Sequence, residues 1–253
     1  QNKSKTKAKC ITFGFSEDAM FRASNVQIAY KNGVPVGTTF KFEYDGNTFP
    51  VLMHGVLGVQ PVYSALVALS LGVYLKLNII DMISDLANND TPPGRMRVIE
   101  GIKGTSIIDD TYNSSPLAAT AAVEALRNIK TKGKRVAVFG DMLELGKYTA
   151  EEHKKLGALV AEKTNLLLVV GPRSKYIVEG ALENGMSEKD IIEFENSRLA
   201  GKYLEGVLEE GDIVLVKGSQ SMRMERAVEE IMAHPENAES LIVRQDAEWK
   251  AKL

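Results

Sequence analysis

Short apolar runs spaced by amphipathic stretches constrain this chain more than any other feature. Val136–Phe139, Leu166–Val170, Ile191–Phe194 and Ile213–Val216 are almost unbroken in hydrophobicity. Helical patterns follow or separate them, roughly Ala150–Lys163, Lys175–Asn184, Arg198–Leu208 and Arg223–Met232. A strand that is apolar on both faces must be covered on both, and a helix between two strands makes them parallel. The pattern therefore predicts a mostly parallel sheet with helices on each face, a doubly wound, Rossmann-like α/β domain. Two strands lead into it, Arg97–Ile102 and Thr105–Asp110, joined by a tight turn at Lys103-Gly104.

The first part of the chain follows other rules. Apolar and polar residues alternate over Val26–Tyr30 and Thr38–Tyr44, and Asp45-Gly46-Asn47 turns the chain into Phe49–Met53, a hairpin signature. Helices are expected over Val59–Leu75 and Ile79–Leu86, and Thr91-Pro92-Pro93-Gly94 stops the second one. The expected division is residues 1–91 and residues 92–253. Antiparallel strands followed by helices suggest that the first is the rear of a domain.

With 253 residues the chain can bury a real core in each part. Lys and Arg number 31 against 33 acids, a net charge of −2 that gives no global attraction to nucleic acid. One cysteine, Cys10, excludes an internal disulfide framework and fits a cytoplasmic location. The histidines, His54, His153 and His234, lack metal-ligand spacing. The longest apolar run, Val62–Leu77, is interrupted by Ser64, Ser70, Gly72 and Lys76, and is shorter than the ~20 apolar residues of a membrane helix. It is expected to be a buried helix. Lys3, Lys5, Lys7 and Lys9 run into Cys10-Ile11-Thr12-Phe13 without a secretory apolar region, so a start inside a longer protein is expected.

Candidate sites sit where strands end. Ile107-Ile108-Asp109-Asp110-Thr111-Tyr112-Asn113-Ser114-Ser115-Pro116 runs from an apolar strand through six polar residues into a helix, Leu117–Ile129. Ser115 suits the N-cap and Pro116 the first helical position. Two carboxylates, a phenol and an amide there suit a ligand site, although a well-capped turn would use the same residues. Gly140-Asp141-Met142-Leu143-Glu144-Leu145-Gly146 follows another strand, with Asp141 either an N-cap or a ligand group. Lys217-Gly218-Ser219-Gln220-Ser221 follows a third. Its serines are caps or anion contacts, and Lys217, closing an apolar strand, needs a partner. His153 suits a surface or capping position. Arg95 suits either a phosphate contact across the boundary or a solvated hinge. Neither G-x-x-x-x-G-K-[ST] nor G-x-G-x-x-G occurs, which disfavours a free-standing nucleotide fold.

Taken together, Pro93-Gly94-Arg95-Met96, the Ile108–Pro116 turn, Gly140–Gly146 and Lys217-Gly218-Ser219-Gln220-Ser221-Met222-Arg223-Met224-Glu225, with Thr12-Phe13-Gly14 near the start, resemble the Mur ligases of peptidoglycan synthesis. The Gly-Asp-Met-x-Glu-Leu-Gly segment is most similar to the branch that joins D-Ala-D-Ala to UDP-N-acetylmuramoyl-tripeptide. The resemblance implies that residues 1–91 are the rear of a P-loop-type α/β ATPase central domain, and 92–253 a complete C-terminal domain. The phosphate loop, the magnesium-binding acid and a carbamylated lysine would lie upstream, so no catalytic residue is expected within the chain and 1–253 alone should be inactive. ATP and Mg²⁺ are the implied cofactors, the enzyme is expected to be a monomer, and no membrane span is expected. The implied chemistry activates a peptide carboxylate as an acyl phosphate, which the amine of D-Ala-D-Ala then attacks. For ATP the resemblance implies Arg95 at the phosphates, Asp110 at the ribose, Tyr112 and Asn113 on the facing loop, and Ser64 on the adenine side. For the peptide and amine it implies Ser114, Asp141, Glu144, Lys217, Ser219 and Gln220. The family helix usually opens Gly-x-His-Asn-Val-x-Asn-Ala; here Gln60, Pro61 and Ser64 stand at the His and the two Asn positions. Gln220 replaces a usual Arg. A ligase for another amino substrate, or a non-catalytic binding domain of the same fold, are the alternatives.

Overall fold

The computed structural model describes residues 7–8, 10–88 and 91–251. Of the basic start, Lys3, Lys5 and Lys9 lie outside them.

The N-terminal part is a four-stranded sheet in the order β1-β2-β3-β4. β1 (Phe13–Gly14) lies parallel to β2 (Phe21–Lys31), while β3 (Val34–Tyr44) and β4 (Asn47–His54) continue antiparallel. Both hairpin turns place two residues at positive φ, Asn32-Gly33 (52° and 83°) and Asp45-Gly46 (48° and 74°). That geometry matches the strand twist and selects Asn-Gly and Asp-Gly. The Asn-Gly signal allows β2 and β3 to run further towards each other than the alternating segments alone suggest.

Phe21, Phe40, Phe42 and Val51 of this sheet bury against Val62, Ala65, Leu66 and Leu69 of α1 (Gln60–Tyr74), beside α2 (Ile79–Asn88). The expectation of a wholly buried helix over Val62–Leu77 is corrected. Only one face of α1 meets the sheet, and Tyr63, Val67, Leu71 and Tyr74 on the other are 42–53% exposed.

After residue 91 comes a six-stranded sheet in the order β5-β6-β10-β7-β8-β9. β5 (Arg97–Glu100) is antiparallel to β6 (Ser106–Asp110); β10 (Ile213–Lys217), β7 (Arg135–Gly140), β8 (Leu166–Val170) and β9 (Ile191–Phe194) are parallel to it. Successive residues point to opposite faces. Ile108, Ala137, Phe139, Leu167, Val169 and Leu215 therefore pack with α3 (Pro116–Asn128), α4 (Thr149–Lys163) and α5 (Lys175–Glu183). Ile107, Val136, Val138, Leu168, Val170 and Val214 pack with α6 (Ser197–Val207) and α7 (Glu225–Ile231). This is the doubly wound, Rossmann-like arrangement expected from the apolar runs.

Two boundaries differ from the sequence expectation for a local reason, and the tail holds further helices. β5 stops at Glu100 because Ile102–Gly104 winds into a 3-10 turn with Lys103 at φ 53°. The last long helix starts at Glu225 rather than Arg223, since Arg223 is left-handed (φ 52°) and ends a separate 3-10 turn, Gln220–Met222. The tail adds α8 (Ala238–Leu241) and α9 (Ala247–Ala251), too short for periodicity to reveal.

Connections across residue 91 join the two sheets. Leu57 N donates to Met96 O (3.0 Å), Val98 N to Gly55 O (2.9 Å), and Lys130 N to the Tyr30 hydroxyl (2.8 Å). Leu57 is fully buried within the core on the α3 side.

α4 and α5 meet backbone to backbone through two glycines. A Cβ on Gly157 would lie 2.0 Å from Ile177 O, and one on Gly180 would lie 2.2 Å from Lys154 O. Gly180→Ala should therefore destabilise the chain by about 1–3 kcal/mol through overpacking, read as a lower urea midpoint at unchanged m-value. Wild-type stability in that variant would contradict the close contact.

Candidate functional site

The order of the parallel strands makes the site. Because β10 inserts between β6 and β7, Lys217 at the end of β10 lies directly opposite Asp110 at the end of β6. Both side chains point to the α3 face. Lys217 is 1% exposed and Asp110 8%. Lys217 Nζ donates to Asp110 Oδ2 (2.6 Å) and to Asn113 O (2.9 Å), while Asp110 Oδ1 accepts from Met96 N (3.1 Å). The pair thus ties two strands, the loop after β6 and the segment entering β5.

Asp109 points to the opposite face and fastens the same loop from behind. Its Oδ1 accepts from Thr111 N (3.2 Å) and Thr111 Oγ1 (2.6 Å), and its Oδ2 from Gly94 N (2.9 Å). Gly94 has φ +70°, and a Cβ there would lie 2.8 Å from Tyr112 N. Only glycine lets the linker come this close. Burial pushes the Asp109 carboxyl from 3.8 up to about 6, against the pull of the Thr111 and Gly94 bonds and with help from the Asp110 charge. Sequence reasoning assigned Asp109 no separate role; strand alternation after an apolar run is the signal that separates two consecutive acids.

A cavity of about 800 Å³ opens beside this loop, walled by the start of α1, the linker, the loop and α3. Arg95, Asp110, Tyr112, Asn113, Ser64, Ser114 and Lys217 all line it, as do Gln60 and Pro61. Tyr112 is 47% exposed, and the exposed Arg95 stacks its guanidinium 4.1 Å from the ring centre. The Ser114 hydroxyl is buried and has no hydrogen-bond partner among the described residues, so it has a donor and acceptor to offer. A mostly apolar chamber with a guanidinium, an ammonium paired to a carboxylate and an unsatisfied hydroxyl suits an anionic, partly aromatic ligand. Among the described residues no group of three or more His, Cys, Asp or Glu could hold a metal ion.

The remaining sequence candidates lie elsewhere. Asp141 is fully buried and already occupied: it accepts from Arg173 N (3.0 Å), Ser174 N (2.8 Å) and the Arg173 guanidinium (3.3 Å), so it braces the turn after β8. Ser219 Oγ accepts from Leu143 N (2.8 Å), joining the loops after β7 and β10. Neither lines the cavity, and their polar groups serve the fold. Glu144 and Gln220 are exposed outside it. His153, expected at a surface or capping position, corrects the surface alternative. It is fully buried, with Nδ1 against Thr149 O (2.7 Å) and Nε2 accepting from Met142 N (2.9 Å). That pattern fixes the neutral tautomer, and burial lowers its ordinary value of 6.5.

Two predictions follow from these buried charges. Lys217→Ala leaves the Asp110 carboxylate without a counter-ion and should cost about 3–5 kcal/mol in chemical denaturation, while Lys217→Met with Asp110→Asn should recover much of it. A double variant no better than the single one would contradict the pairing. Folded Asp109 holds its proton to about pH 6, whereas the unfolded chain releases it near 3.8. Its contribution is therefore most favourable below 3.8 and is lost as pH rises to about 6. Asp109→Asn should remove that component, seen as the difference between wild-type and variant denaturation midpoints across the window; parallel curves would contradict it.

Comparisons with known proteins agree on one family. The sequence model described as "Mur ligase, glutamate ligase domain" matches residues 94–220. The UDP-N-acetylmuramoyl-tripeptide–D-alanyl-D-alanine ligase of Bacillus subtilis (strain 168) is 32% identical over 203 residues, covering 79% of this chain and 43% of that protein. Its counterpart in Escherichia coli (strain K12) is 29% identical over 211 residues, covering 82% and 43%. The crystal structure of MurF ligase from Thermotoga maritima in complex with ADP superposes with a TM-score of 0.72 at 29% identity, over 91% of this chain and 49% of that one. The chain thus spans about half the length of the relatives it matches.

Proposed function

This chain belongs to the Mur ligase family, and from that premise we propose that it forms the rear of the ATPase domain (1–91) and the whole C-terminal domain (92–253) of a ligase. In this reading the ligase joins D-Ala-D-Ala to UDP-N-acetylmuramoyl-tripeptide. The observation that carries the reading is the cavity between the two sheets. It gathers the residues that the family pattern links to the nucleotide with Ser114 and Lys217. The relative solved in complex with ADP supports a nucleotide as the kind of ligand.

ATP supplies the phosphoryl group that activates the acceptor carboxylate, and this chain's side chains hold the reactants around it. Arg95, stacked on Tyr112 and exposed, is free to swing its charge onto phosphates. Asp110 keeps acceptor capacity beyond Lys217 and Met96, since a carboxylate has about four lone-pair sites, and can take ribose hydroxyls. Ser64 and Gln60 wall the adenine side, and Asn113 faces the nucleotide from the loop. Ser114 and Lys217 face the amine and the acceptor carboxyl. With no acidic metal cluster on these elements, Mg²⁺ is assigned to the phosphates and to residues outside this stretch, and no step is drawn through it. The exposed apolar face of α1 supports the incomplete-domain reading, because a row of that size is ordinarily covered. No helix of the described residues is long and apolar enough to cross a membrane; a monomer in the cytoplasm is proposed.

The test is phosphate release by the full gene product with ATP, Mg²⁺ and UDP-N-acetylmuramoyl-tripeptide, with D-Ala-D-Ala compared against single amino acids. Release that depends on D-Ala-D-Ala is expected, and residues 1–253 alone should release none. Dependence on a single amino acid would transfer the protein to another ligase of the family. No turnover with any amine would leave a binding domain.

A further inference from the structure

The loop that carries Asp110, Tyr112, Asn113 and Ser114 is gripped from outside by a residue far along the chain. Arg244 is 9% exposed and sits between α8 and α9, beyond the segment that the family model matches. Its Nη1 donates to Thr111 O (3.1 Å) and its Nη2 to Tyr112 O (2.5 Å), so one planar fork spans two consecutive loop carbonyls. The same Nη1 reaches Glu225 Oε2 (3.0 Å), and Glu225 Oε1 accepts from Arg223 Nε (2.5 Å). Glu225 is 1% exposed. The guanidinium groups of Arg223 and Arg244 lie 5.3 and 5.5 Å from the ring of Trp249. Val243, next to Arg244, presses on Gly94, where a Cβ would meet its Cγ1 at 3.0 Å.

The geometry points to Arg244 as a positioning residue of the site, an inference that rests on the ligase reading above and deepens it. Ionic groups fasten the loop on separate sides: Asp109 at Thr111, Lys217 at the Asn113 carbonyl, and Arg244 at the Thr111 and Tyr112 carbonyls. Asp109 and Lys217 belong to the sheet and come with it. Arg244 belongs to the tail, and Glu225 holds its direction. Burying two guanidiniums around one carboxylate carries a desolvation cost that packing alone would avoid. A fork aimed at two adjacent carbonyls gives that cost a use: it fixes the orientation of the peptide groups that turn Tyr112 and Asn113 towards the cavity. Lysine would bring the same charge without the rigid planar fork that holds both carbonyls in one orientation. The tail is thereby part of the site without touching ligand.

The test reads the loop directly. Amide hydrogen exchange is measured for residues 110–115 and for β7 as reference, in this chain and in Arg244→Gln, Arg244→Lys and Glu225→Gln. Expected is exchange about tenfold faster or more at the loop in Arg244→Gln, with β7 unchanged, partial recovery in Arg244→Lys and a smaller effect in the same direction in Glu225→Gln. In the full gene product Arg244→Gln should raise KM for ATP or the amine by about tenfold with a smaller change in kcat. Unchanged loop exchange overturns the proposal, as does equal acceleration over loop and β7, which would make Arg244 a general stabiliser. If Arg244→Gln does not fold, Arg244→Lys and Glu225→Gln decide by the same comparison. Wild-type protein without D-Ala-D-Ala-dependent turnover would remove the ligase reading, while loop exchange would still decide the role of Arg244.

Discussion

The contact between Lys217 and Asp110 is where the fold and the site become one object. A buried ammonium and a buried carboxylate each tolerate loss of water only because the other is present, at 2.6 Å. They meet because β10 returns into the sheet between β6 and β7 with Lys217 in register with Asp110. A slip of one residue in either strand would turn that charge to the opposite face. Strand order, register and charge pairing therefore constrain one another, and the cavity-lining loop inherits its position from all three.

The neighbouring acids show how far position alone separates roles. Asp109 and Asp110 are consecutive and chemically identical, yet alternation sends them to opposite faces. Asp109 receives three donors and no cation, and its proton is held to about pH 6. Asp110 receives a lysine and borders the cavity. One fixes the linker at Gly94, and the other faces the space where a ligand fits. Both acids bond the linker, at Gly94 N and Met96 N, and Tyr112 N also donates to Gly94 O at 3.0 Å, so the linker and the loop are tied together.

Much of this was legible in the chain itself. The apolar runs specify strands covered on both faces, and Ser115-Pro116 specifies the start of α3, where Ser115 Oγ accepts from Ala118 N. A lysine closing an apolar strand demanded a partner and has one. Other features depended on contacts between distant segments, which periodicity does not encode. Asp141 and Ser219 look like ligand groups at strand ends, and their bonds to neighbouring turns are contacts between distant segments of this kind. His153 shares a helix face with the buried Leu156, Gly157 and Val160, so its spacing already pointed inward, and the Met142 amide supplies the donor that its buried Nε2 needs. The left-handed Arg223 interrupts a pattern that reads as continuous helix, because its side chain is committed to Glu225.

Those distant contacts also decide what kind of site this is. A strand-end site in a doubly wound fold usually lies at a helix N-terminus fed by a glycine-rich loop. Here the loop after β6 has no glycine between Asp110 and Pro116, and ionic groups hold its backbone from three directions. Such a loop is poorly suited to wrap a phosphate with its own amides. It is well suited to present rigid side chains across a gap to a ligand held from the other side. The opposite wall, at the start of α1, is carried by the N-terminal sheet, while the linker is tied to the loop through Gly94 and Met96. The two halves of the cavity therefore rest on different sheets, joined by the hydrogen bonds from Leu57 to Met96 and from Val98 to Gly55 and by Leu57 itself, which is buried in the core on the α3 side.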